Sequence, residues 1–263
     1  MKARFAGMGA WGPGFETADA LEALFDGEMP TSADDSDGAR PARPAATIIP
    51  PRERRRAPLS VKLAVEVASQ ACEASGIAPA DAACVFASAL GDLDITDYMC
   101  RTLASETPQL SPTKFHNSVH NAPVGYWTIS TGDNHAGNAV AAGPDGTVAV
   151  SLMEAVIQCD IEQRPVLWVC QDIAAPPAYQ ALWPVNAACA VAIMLVPATG
   201  GDAHRLSLAP GAAGWPALHT PALAALYDDN PTARALALLE ALHRGESICL
   251  PLNESSSLQV TPP

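Results

Sequence analysis

The sequence predicts an α/β fold in which a sheet is covered by helices on both faces. Three observations predict it. Strand-like and helix-like segments alternate along the chain, the strand-like ones are short buried apolar runs such as Ala187–Val196, and the 263 residues are 49% hydrophobic, enough for a sizeable core.

Ala3–Met8 reads as a first strand running into the glycine-rich stretch Gly7-Met8-Gly9-Ala10-Trp11-Gly12-Pro13-Gly14. A helix is expected from Thr17 to Phe25, with Asp19 and Glu22 in its early turns and Gly27 ending it. Residues 30–56, with Asp34-Asp35-Ser36-Asp37-Gly38 and a Pro/Arg/Ala stretch, lack apolar periodicity and read as a surface loop. From Ser60 to Ser75, Val61, Leu63, Ala64, Val67, Ala68, Ala71 and Cys72 recur at helical spacing, and Gly76 stands where a C-terminal cap belongs. Ala83–Ala87 follows as a buried strand and Asp94–Ser105 as a helix. Ala139–Ala142 is strand-like, Gly143–Gly146 a tight turn, and Thr147–Gln158 a helix with Val148, Leu152, Ala155 and Val156 on one face. Strands are expected at Pro165–Asp172, Asn186–Val196 and Arg205–Ala209, and helices at Pro221–Leu226 and Thr232–His243.

Charge narrows the function classes. A formal net charge of -13, from 15 Lys+Arg against 28 Asp+Glu, repels a phosphate backbone, so nucleic acid is not an expected partner. The longest apolar run is half a membrane span, and the N-terminus lacks a signal-peptide pattern. A cytoplasmic protein without membrane insertion is expected. The basic group Arg52, Arg54, Arg55 and Arg56 reads as a solvated loop or as a docking patch for an acidic partner. Seven cysteines without C-x-x-C spacing read as small buried hydrophobes.

Several stretches invite a chemical reading. Gly7-Met8-Gly9-Ala10-Trp11-Gly12 has dinucleotide-binding spacing but lacks the later acidic residue that would hold a ribose, and Trp11 and Pro13 crowd the turn. It reads as a tight structural turn, and no cofactor is expected. Ser111–Trp127 packs two His, two Asn, two Ser and three aromatics into 17 positions. His116 and His120 at i and i+4 would share a helix face and could take a metal with Asp133 or His135, yet the glutamate base of metalloproteases is missing. Ser118 with His120 is a conceivable nucleophile and base for an acyltransferase or hydrolase of acyl thioesters. A self-satisfied polar network is the simpler reading, with no metal. At Gly143-Pro144-Asp145-Gly146, a strand-to-helix elbow offers no Ser or Cys, and Asp145 is expected to cap the helix.

Taken together, the glycine-rich first strand, the helix 60–75, the segment Ser111-Pro112 … Asn121 … Gly125 and the strand-turn-helix 139–158 resemble the N-terminal half of a β-ketoacyl synthase, a thiolase-fold condensing enzyme. The string Ser-Pro-Thr-Lys-Phe-His-Asn-Ser-Val-His-Asn-Ala resembles the short synthase-like proteins of aryl polyene pathways. The resemblance covers roughly residues 1–200 and implies a thiolase-like half, lacking the second half of a full enzyme, with 201–263 as a C-terminal extension completing or wrapping the domain. The family's nucleophilic Cys sits at a fixed distance after the glycine matching Gly125. Gapless counting puts that position at Pro144, and a short insertion would move it to Gly143 or Asp145. None carries a thiol. The family's catalytic histidines lie in the missing half, so no catalytic residue is expected. The resemblance implies a chain-length-factor-like subunit in a heterodimer with a full-length β-ketoacyl-ACP synthase, meeting acyl carrier protein indirectly. Lys114, Phe115, His116, Asn117 and Asn121 would then sit near the partner's acyl tunnel.

Overall fold

The computed structural model describes residues 1–28, 43–198 and 200–263. The first strand, β1 (Lys2–Trp11), leads through a tight turn closed by Gly12 and Phe15 into α1 (Ala18–Phe25), whose N-cap Thr17 accepts the Ala20 N–H. Then come α2 (Pro51–Arg54), α3 (Leu59–Ser75) ending at left-handed Gly76, β2 (Ala83–Ala87) and α4 (Leu93–Leu103). They are followed by α5 (Pro112–His116), α6 (Ala122–Thr131), β3 (Gly137–Val140), α7 (Gly143–Glu162), β4 (Val166–Asp172) and β5 (Cys189–Val196). The chain closes with β6 (His204–Pro210), α8 (Ala224–Asp229), α9 (Ala235–Arg244), β7 (Ile248–Asn253) and β8 (Ser256–Thr261).

The strands form one mixed sheet in the order β3-β2-β4-β5-β1-β6-β8-β7. β3, β2 and β4 run parallel, and β5 runs against both β4 and β1. Because both faces are covered, alternate residues feed two cores. Ala83, Val85, Ala87, Val166, Trp168, Val191 and Ile193 face α1, α7 and α9, whereas Cys84, Phe86, Leu167, Val169, Ala192 and Met194 face α3 and α6. Trp168 Nε1–H donates to Ser151 Oγ at 2.8 Å, pinning α7 to β4.

Several expected boundaries shift. Gly7 and Gly9 are not part of a turn: they lie within β1, where α3 comes so close that a Cβ on Gly9 would stand 2.1 Å from the Val67 carbonyl oxygen. The turn is at Gly12–Phe15. Of the expected loop 30–56, residues 30–42 lie outside the described residues, but its end is ordered, with Ala46 and Ile49 buried and α2 formed at Pro51–Arg54. Gly143–Gly146 is the first turn of α7 rather than a separate turn, and β3 starts and ends two residues early. Pro221–Leu223 and Thr232–Arg234 are single 3₁₀ turns that lead into α8 and α9.

Residues 201–263 extend the sheet. β6 meets β1 at Lys2↔Arg205 and Ala3↔His204, and β7 and β8 form a hairpin beyond it that the sequence reading missed. Asn230 fastens this segment by donating to the carbonyls of Asp172 and Ala187.

Candidate functional site

The open edge of the sheet lies at β3. Its Ala136 and Val140 carbonyls accept from Cys84 and Ser88 of the β2 strand region, so by alternation Gly137 and Ala139 turn their N–H and C=O groups outward, with no neighbouring strand among the described residues. β3 feeds the elbow. Gly143 adopts φ +70°, a conformation that favours glycine, and Pro144 follows where its missing N–H costs no helix bond. The N-cap is Ala142, not Asp145: Thr147 Oγ1 accepts the Ala142 N–H at 2.9 Å and donates to the Gly143 carbonyl at 2.7 Å. Asp145 stands in the first turn without a capping bond, where its charge suits the helix dipole. Residues 141–145 are exposed, and 141–146 contain no thiol, hydroxyl or imidazole.

The segment expected to carry chemistry lies beside this edge. Ser111 caps α5, and its N–H donates to the Tyr98 hydroxyl at 2.9 Å. Lys114 Nζ lies 3.8 Å from the centroid of the Tyr98 ring. Phe115 is 60% exposed, and His116 and Asn121 are exposed as well. Asn117 is buried and donates through Nδ2 to the Arg56 carbonyl, tying this segment to the turn after α2. Val119 and Ile129 add exposed apolar surface.

The two expected histidine and serine pairings do not form. α5 ends at His116, so His116 and His120 share no helix face. Ser118 Oγ donates to the Phe115 carbonyl at 2.8 Å, while His120 Nε2–H donates to the Val140 carbonyl at 3.3 Å. Both donors are directed at backbone rather than at each other. Asp133 and His135 instead pair with one another, Nδ1 to Oδ1 at 2.9 Å, and no group of three metal-ligating side chains occurs among the described residues.

Five cysteines are buried as expected, but Cys100 and Cys249 are exposed, and all seven are free thiols. Burial pushes Cys72, Cys84 and Cys159 up to about 12, which keeps them as unreactive thiols at neutral pH. The basic residues Arg52, Arg55 and Arg56 are exposed around α2 and form no ion pair among the described residues.

One polar cluster went unread in the sequence. Asp172, at the end of β4, is fully buried, and its carboxylate accepts from Ser88 Oγ at 2.7 Å, Thr232 Oγ1 at 2.8 Å, Leu90 N–H at 3.0 Å and Ala89 N–H at 3.3 Å. Burial pushes its carboxyl above the ordinary value, against the pull of those hydrogen bonds. Its four partners lie 60 to 84 positions away in the chain, so no local motif could announce it.

The mixed sheet, with a first strand glycine-packed on α3 and an elbow at the end of a parallel edge strand, places the chain among layered α/β proteins. Residues 30–256 match the family model described as β-ketoacyl synthase, N-terminal domain, and the chain belongs to that family. No curated protein matches it by sequence. Among solved structures it is similar to a chain of a ketosynthase (ApeO) in complex with its chain length factor (ApeC) from Xenorhabdus doucetiae, with TM-score 0.73 and 21% identity over 99% of both chains. It is also similar to the ishigamide ketosynthase/chain length factor, with TM-score 0.68 and 12% identity over 100% of this chain and 99% of that one. A β-ketoacyl synthase from Burkholderia phymatum matches with TM-score 0.62 and 10% identity over 100% of this chain and 99% of that one. At these identities the likeness is one of fold, and the fold is thiolase-like. No helix of the described residues is long and apolar enough to cross a membrane.

Proposed function

We propose that the chain is a non-catalytic, chain-length-factor-like subunit that pairs with a full-length β-ketoacyl-ACP synthase and shapes its acyl tunnel, in fatty acid or polyketide-type biosynthesis of the aryl polyene kind. The observation that carries this reading is an elbow without a nucleophile at the end of a strand edge that has no neighbouring strand among the described residues, in a chain that also exposes Phe115, Val119 and, on the helix packed beside that strand, Ile129. An edge strand beside apolar side chains is an interface rather than a catalytic pocket. Two similar structures, each of a ketosynthase with its chain length factor, support the same reading. In it, Phe115, flanked by Lys114 and His116, faces the far end of the partner's tunnel, and acyl carrier protein is met indirectly, through the partner synthase.

Co-expression with a β-ketoacyl-ACP synthase is expected to give a 1:1 complex by native mass. Ala139→Pro removes an outward-facing N–H while leaving the β2 ladder intact, and is expected to reduce complex formation tenfold or so, which titration by native mass measures. In the intact complex, Phe115→Ala is expected to lengthen the product by at least one two-carbon unit. An added unit pressed against the phenyl ring costs about 1–3 kcal/mol of overpacking, roughly tenfold in discrimination. A monomer that turns over acyl thioesters unaided, losing activity on Ser118→Ala, would overturn the proposal.

A further inference from the structure

The open edge of β3 adjoins the outer face of α7. Val148, Leu152, Ala155, Val156 and Cys159 bury one side of that helix in the core, while Val150, Glu154, Ile157, Gln158 and Ile161 line the opposite side, half-buried or exposed. Glu154 sits within this largely apolar stripe and is anchored to the edge strand itself. Asn138 of β3 donates through Nδ2 to Glu154 Oε1 at 3.3 Å, and Gln158 donates through Nε2 to the same oxygen at 2.9 Å. The other oxygen, Oε2, takes no protein donor among the described residues and is not sealed from solvent. No Lys, Arg or His nitrogen of the described residues lies within 4.0 Å of the carboxylate. Residues 136–162, which make β3, the elbow and α7, contain no basic residue at all, and the His120 ring at this edge is bonded to the Val140 carbonyl.

A strand and helix docking on β3 would cover Glu154, and a carboxylate withdrawn from water is tolerated only where a cation meets it. A second copy of this chain supplies none. If its β3 added antiparallel, with Gly137 opposite Ala139, the two Asn138 residues would stand face to face at a Cα separation of about 4.5 Å, and the carboxylates they hold would crowd each other across the axis. We infer that Glu154 selects the partner at this edge, taking an arginine or lysine side chain from the synthase and repelling a second copy of this chain. The inference rests on the pairing proposed above and adds its charge requirement.

Titration of the full chain with the synthase used for co-expression, read by native mass, tests it. Glu154→Gln keeps the side-chain length and an acceptor oxygen for Asn138 and Gln158, and circular dichroism checks that the fold is kept. This variant is expected to bind the synthase about tenfold more weakly at low salt and to lose much of the salt dependence of binding, because one charge pair is gone. Glu154→Lys sets like charges together and is expected to weaken the complex about a hundredfold. In sedimentation of the chain alone, Glu154→Gln is expected to self-associate more strongly than the wild type. Equal affinity and equal salt dependence for wild type and Glu154→Gln overturn the role of Glu154 and leave the pairing standing, as does a wild-type homodimer as tight as the complex. A wild-type chain that forms no complex with the synthase overturns the pairing itself.

Discussion

Replacing Asp172 with alanine is expected to lower the stability of the protein by about 3–5 kcal/mol in urea or guanidinium unfolding, enough to unfold a marginally stable chain. Four donors lose their acceptor at once, two of them the backbone N–H groups of Ala89 and Leu90. Thr232 also loses its anchor, so the damage spreads to the C-terminal segment. Asp172→Asn keeps one oxygen and is expected to lose roughly 1–3 kcal/mol. A loss below about 1 kcal/mol for the alanine variant would show that the cluster is not a structural clamp.

The same carboxyl sets a pH dependence. Burial raises its pKa in the folded state above the unfolded value, so the folded protein binds the proton more readily. Its contribution is therefore fully present below the unfolded pKa and is lost as pH rises through the folded pKa. Relative to Asp172→Asn, the wild-type protein is expected to gain stability as pH falls across that window. Unfolding curves measured on both proteins at a series of pH values test the sign; parallel curves would argue against it.

Gly9→Ala is the second substitution of large effect. The new Cβ would stand 2.1 Å from the Val67 carbonyl oxygen and 2.9 Å from the Val67 carbonyl carbon, both backbone atoms of α3 that cannot rotate away. α3 would have to lift from β1 where Gly9 and Ala10 are buried, at a cost of about 3 kcal/mol or more. Gly125→Ala is the control, since a Cβ there meets nothing within 4 Å, and alanine in a helix gains roughly 0.5–1 kcal/mol over glycine. Thermal unfolding is expected to separate the two variants by about 10 °C or more, or to find Gly9→Ala insoluble; equal midpoints would mean that α3 relaxes freely.

Much of the architecture was legible because it is local. The 3.6 period of Val61–Cys72 with Gly76 beyond it foretold α3, and the buried runs Ala83–Ala87 and Pro165–Asp172 foretold β2 and β4. The β7 and β8 hairpin escaped notice: Pro251 interrupts the first strand and the tip is the short stretch Glu254-Ser255, while the alternation of Ile248, Leu250, Leu258 and Val260 shows its buried face only against α7 and the core around it. At the elbow, the absence of a nucleophile was plain from residues 141–146, but which residue turns the chain was not, because backbone φ depends on how β3 meets α7.

By itself the sequence determined the layered α/β class, the family resemblance and the lack of thiol, hydroxyl or imidazole at the elbow, since residue identity and short-range periodicity suffice for each. Only the tertiary structure decided that Gly7 and Gly9 serve packing, that Ser118 and His120 bond to backbone rather than to each other, and that Asp172 joins Ser88 to Thr232. These depend on atoms brought together from distant positions, where close approach, burial and hydrogen-bond direction are set by the packing of whole elements rather than by any neighbour in the chain.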